Sequence, residues 1–228
     1  MRPVFRHVVY ATAVQADDRT ACESGNLWQE IIAPEFPLLA ALPLTLAELE
    51  LLLQGPVVDL TAIAEVAKRD AAVTAQLLLL ANRDRDESDR IYRLEDCLVH
   101  IGISRLRGLV CAAPPLRSSD WQRRVLLNHS RRTALAAEAM ACCLPAVDVE
   151  KAYLAGLLHL LPELVSSETE ADRPLPRFLR EVIHGFKHPF TVPGEGQELS
   201  ELVRTACEWA SEMELLPAGK SPHRLIRG

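Results

Sequence analysis

Aromatic residues make up only 5% of this 228-residue chain, and its ten glycines never gather into a loop that would cradle a phosphate. That absence counts against nucleotide hydrolysis of the phosphate-loop kind. Positive charge is not in excess either. The formal net charge is −6 and the isoelectric point is near 5.7, which disfavours a general polyanion or nucleic-acid binder. No apolar run reaches membrane-spanning length without a charge or a proline. No alternating strand pattern, hairpin dipeptide or long internal repeat stands out. The six cysteines are scattered, with Cys142 and Cys143 adjacent, and do not suggest a disulfide framework. The opening MRPVFRHVVYATAVQA imitates a secretory signal, yet its apolar run from Val8 to Val14 is short and contains Tyr10 and Thr12. Reduced thiols and a cytoplasmic location are therefore expected.

What the chain does have is leucine, alanine and valine, within a hydrophobic content of 49% and a charged content of 25%. Leucine and alanine are strong helix formers, so an all-α fold is favoured before any pattern is read. The pattern agrees. Thr45 and Glu48 form a T-x-x-E capping box for LAELELLLQ, which Gly55 and Pro56 close. Asp59 precedes LTAIAEVAKR, and Asp70 can cap AAVTAQLLLLAN, whose run Leu77 to Leu80 is apolar all round and implies burial on several sides. The charged segment from Arg83 to Arg90 reads as a solvated loop. LEDCLVHI ends at Gly102, and a further helix is expected after Ser104. Ser118, Ser119 and Asp120 offer caps for a long helix from Trp121 that Pro145 ends, and Asp148 can cap VEKAYLAGLLHLL. Residues 1–35 are the least legible, because FRHVVYATAV reads equally as a strand or an apolar helical turn.

Several residues invite a sharper reading. Arg123, Arg124, Arg131 and Arg132 flank His129 on one helix; they would suit phosphate, but a solvated face or a protein contact fits the acidic total better. His184 and His188 have the i, i+4 spacing of paired ligands, although Gly185 and Pro189 weaken the helix that such spacing needs. Cys142 and Cys143 point about 100° apart on a helix and are expected to pack as small buried side chains. The histidine of GLLHLLPEL, His159, is isolated among apolar residues.

Five segments in order resemble the HDOD family, the HD-related output domain of bacterial signalling proteins. They are LPLTLAELELLL, VDLTAIAEVAKRDAAVTAQLLLLAN, LEDCLVHIGISRLRGLV, WQRRVLLNHSRRTALAAEAM and YLAGLLHLLPELV. The resemblance covers roughly residues 36–216. It implies an all-α fold with an N-terminal helical lobe, residues 36–116, packed on a degenerate HD-like bundle, residues 117–228, after an N-terminal arm, residues 1–35, with no counterpart in the family. The related HD phosphohydrolases use a His, an adjacent His–Asp pair and a distant Asp to hold a divalent metal. Carried onto this chain, the histidines match His129 and His159, Leu160 stands where the first Asp belongs, and the last falls most plausibly at Cys207; no aspartate follows Asp172. Leucine cannot coordinate a cation. Pro162 and Glu163 also replace the usual Gly and Lys, and PFTVPGEGQE is shorter than the family's insertion.

These four positions are accordingly expected to be vestigial, with no catalytic residue, no metal and no cofactor. His129 and His159 are expected as a satisfied structural pair, bonded to each other or to Asn128, with Cys207 or His188 the only third ligand in view. The implied function is a non-catalytic regulatory module that contacts other signalling proteins in trans, without membrane or nucleic acid. The alternatives are a metal-dependent phosphohydrolase with an altered ligand set and a nucleotide-signal sensor without turnover.

Overall fold

The computed structural model describes residues 8–10, 38–165, 174–187 and 195–215. Among them the secondary structure is overwhelmingly helical, and the chain has an all-α fold. The N-terminal half contains α1 (Pro43–Gln54), α2 (Leu60–Ala67), α3 (Ala71–Asn82), α4 (Leu94–Ile101) and α5 (Ile103–Ala112). The C-terminal half contains α6 (Trp121–Ala141), α7 (Val149–Leu158), the single turn α8 (Leu161–Leu164), α9 (Arg177–Lys187) and α10 (Glu195–Leu215). A two-stranded antiparallel ribbon joins β1 (Val8–Tyr10) to β2 (Val57–Asp59), so the strand option for part of the N-terminal arm is the one realised. The rest of that arm lies outside the described residues.

Three helix starts follow the side chains that favour them. Asp59 accepts from the Thr61 and Ala62 amides, Asp70 from Ala72 and Val73, and Asp148 from Lys151. Each satisfies amides that a helix leaves without partners. The expected capping box at Thr45 does not form. Helix α1 opens two residues earlier at Pro43, whose fixed φ and missing N–H suit a first turn. Thr45 is instead buried and hydrogen-bonded to Asp70, while Glu48 pairs with Arg69 at 3.0 Å. Asp120 likewise stands at the start of α6 without capping it, and its carboxylate accepts from the Arg117 amide. Gly102 ends α4 with φ +78°, a conformation costly for any residue with a Cβ, and α5 begins directly behind it.

The two halves share one apolar core. Helix α3 is buried almost along its whole length, as its all-round apolar run requires, and packs on α4 while also touching α6, α7 and α8. Burying Leu77 and Leu78 completely contributes about 1.5–3 kcal/mol each. In the C-terminal half α6 packs most extensively on α7 and α10, and α9 closes against α10 and α7. The charged loop from Arg83 to Arg90, expected to be merely solvated, also fastens the halves. The Arg90 guanidinium donates to the Leu175 carbonyl at 2.9 Å, and Glu87 forms an ion pair with Arg180 on α9. No described helix is long and apolar enough to cross a membrane.

Candidate functional site

The site lies where α6, α7 and α10 meet. Helices α6 and α7 approach closely because small residues face each other: a Cβ added to Gly156 would stand 2.9 Å from the Ala134 Cα and 3.0 Å from the Thr133 carbonyl oxygen. That approach brings His129, in the middle of α6, beside His159, the C-terminal cap of α7. Their ring centroids are 5.6 Å apart, and the Phe186 ring of α9 covers the other side of His159 at 4.9 Å. Cys207 on α10 completes the group. Its Sγ lies 3.3 Å from His129 Nε2, which is also 3.3 Å from the Thr133 hydroxyl. One ligand atom from each of His129, His159 and Cys207 lies within 4.8 Å of the others. The weakest of the carried-over alignments, Cys207, is thus placed at the histidine pair.

His159 is 2% exposed. Its Nδ1–H donates to the Gly156 carbonyl at 2.7 Å, which leaves Nε2 as the unprotonated nitrogen. That Nε2 is buried and has no hydrogen-bond partner among the described residues. Burial pushes the imidazole pKa down to about 4; the Gly156 bond works against this and the neighbouring His129 adds to it. The ring is therefore neutral at physiological pH. The expected partner of His159, His129 or Asn128, is replaced by main chain. Neither Gly156 as an acceptor nor Thr133 and Phe186 as neighbours emerged from sequence; the one available signal was a glycine inside a helical pattern.

Leu160 follows as the half-buried N-cap of α8, with Pro162 in that helix's first turn, where proline is tolerated. Arg124, Arg131 and Arg132 are exposed on α6 and Arg123 is half-exposed. His184 is exposed on α9, and His188 lies outside the described residues. Cys142 and Cys143 are not buried as expected. Helix α6 ends at Ala141, four residues before Pro145, so both fall in the exposed turn that follows it. The described cysteines form no disulfide.

The chain matches the HDOD domain over residues 39–179 and belongs to that family. It is 28% identical over 158 residues to an uncharacterized protein of Treponema pallidum, a match covering 62% of this chain and 31% of that protein's length. Two crystal structures of the MmoQ response regulator from Methylococcus capsulatus superpose on it with a TM-score of 0.61 and 15% identity. The matches cover 88% and 81% of this chain and 99% and 90% of those. At that identity the likeness establishes the fold.

Proposed function

We propose that the protein is a non-catalytic signal-transduction module that acts by contacting other regulatory proteins in the cytoplasm. The observation that carries this reading is the composition of the histidine site. Among the described residues the cluster holds two imidazoles and a thiol with no carboxylate, and Leu160 occupies the place of the acidic residue next to His159. A hydrolase of the HD type needs carboxylates to hold a hard divalent ion and the water it activates.

The exposed side of α6 supports contact as the mode of action. Trp121 is 63% exposed, Val125 49% and Leu135 50%, and they alternate with Arg124, Arg131 and Arg132. Tryptophan and arginine beside apolar side chains form the composition favoured at protein interfaces. The similarity to MmoQ, a response regulator, is in keeping with this class.

Two measurements test the reading. Purified protein supplied in turn with Mn2+, Fe2+ and Zn2+ is expected to hydrolyse neither bis-p-nitrophenyl phosphate nor a cyclic dinucleotide above the protein-free rate. Turnover that disappears with His129→Ala would overturn it. A defined protein from the source organism is expected to co-purify in fixed ratio and to be lost with the Trp121→Ala/Leu135→Asp variant at unchanged helicity; equal retention by that variant would remove α6 from the interface.

A further inference from the structure

The three-helix cluster offers more than a pair of histidines. Its donors come from α6, α7 and α10, elements brought together only by the tertiary fold, and one ligand atom of each lies within 4.8 Å of the others. Two independent observations indicate that something belongs between them.

The first is the condition of His159. Its Nδ1–H is held by a backbone carbonyl, and its Nε2 lone pair is buried with no partner among the described residues. This is the arrangement of metal-ligating histidines, whose other nitrogen is tied to a carbonyl or carboxylate that sets the tautomer and aims the ring. Left empty-handed, a buried acceptor loses its hydration with nothing in return, so the protein interior is better off with an occupant there.

The second is the spacing. Zinc–nitrogen bonds of about 2.0–2.1 Å and a zinc–sulfur bond of about 2.3 Å in a tetrahedron place the ligand atoms about 3.3–3.7 Å apart. His129 Nε2 and Cys207 Sγ already stand at 3.3 Å. Drawing the remaining atoms in from at most 4.8 Å needs a movement of about 1 Å, within the reach of side-chain torsions.

Donor chemistry selects the ion. Two imidazoles and a thiolate suit Zn2+, whereas Mg2+, Ca2+ and Mn2+ prefer oxygen ligands that this cluster lacks. We propose that the protein binds one Zn2+ ion through His129, His159 and Cys207, with a water as fourth ligand. On binding, the Cys207 thiol releases its proton to solvent and the sulfur coordinates as thiolate. The ion fastens α10 to the α6–α7 pair. Neither the polar cleft around Arg90, Lys151 and Phe178 nor the apolar groove beside Met140, Leu202 and Trp209 is lined by the three ligands. Holding the three helices together is the role this placement supports, and the site stands independently of the regulatory reading.

The test uses the full chain purified without a histidine tag, stripped with chelator and titrated with Zn2+ by calorimetry and with Co2+ by absorption. One ion per chain is expected, with a rise in the thermal unfolding midpoint. The Co2+ complex is expected to show the intense d–d bands of tetrahedral geometry and a near-ultraviolet thiolate-to-cobalt band. Cys207→Ser should abolish the thiolate band, and His159→Ala should weaken Zn2+ binding by about 100-fold or more. The Cys142→Ser/Cys143→Ser variant should keep both. Absence of stoichiometric Zn2+ in the wild type, or a thiolate band that survives Cys207→Ser, would overturn the proposal. Because the wild-type spectrum reads the sulfur directly, the test holds even where a variant folds poorly.

Discussion

Asp70 joins two parts of the N-terminal half through one carboxylate. Oδ1 accepts from the Ala72 and Val73 amides at the start of α3, and Oδ2 accepts from the Leu42 amide at 2.6 Å, at the entrance to α1. The residue is fully buried, and burial pushes its carboxyl above the usual range against the pull of those amides and of Thr45. Asp70→Ala is expected to cost about 2–4 kcal/mol, a lost cap plus a stranded buried amide. Asp70→Asn should cost less, because one oxygen remains to cap α3. Urea unfolding at unchanged m-value reads the difference. At this scale the sequence was informative about local acceptors and weak about distant partners. Asp59, Asp70 and Asp148 were legible as caps because their role is local. The Leu42 bond spans 28 residues, and the Thr45 contact crosses from α1 to α3. Neither leaves a trace in spacing.

Among elements, the α6–α7 contact decides the geometry of the site. Gly156 permits it, since the Ala134 and Thr133 main chain lies where its Cβ would be. Backbone cannot turn aside as a flexible side chain can, so Gly156→Ala must push the helices apart. The expected cost is about 1–3 kcal/mol, read as a lower unfolding midpoint. The same variant should also alter the His129–Cys207 relation, seen as a change in the reactivity of the Cys207 thiol towards a maleimide. Sequence periodicity identified both helices and placed His129 and His159 on them. It could not show that a half-turn of small residues brings the pair to Cys207, because helix–helix distance depends on which faces meet. The exposure of Cys142 and Cys143 was missed for a related reason. Helix α6 stops short of Pro145, and three residues of turn carry the chain outward.

For the whole molecule, the division into two lobes is a matter of topology more than of energy. Helix α3 belongs to the first half by sequence, yet packs against α6, α7 and α8 of the second. A core continuous in this way predicts a single cooperative unfolding transition. Helix content by circular dichroism and the combined emission of Trp28, Trp121 and Trp209 should give coincident urea curves. Two separated transitions would mean that the halves unfold independently. The all-α class was legible from composition and punctuation alone, whereas the loop from Arg83 to Arg90 was not legible as a fastener, its partners Leu175 and Arg180 lying far along the chain.

The carbonyl of Gly156 has one more consequence. Because main chain selects which nitrogen of the His159 ring carries the hydrogen, the heading of the lone pair is inherited from the helix and owes nothing to an acidic neighbour. A substitution at Leu160 would therefore leave the tautomer of the His159 ring as it is, because the bond that sets it is made to the Gly156 backbone. The heading of that buried nitrogen is thus a property of the helix end itself.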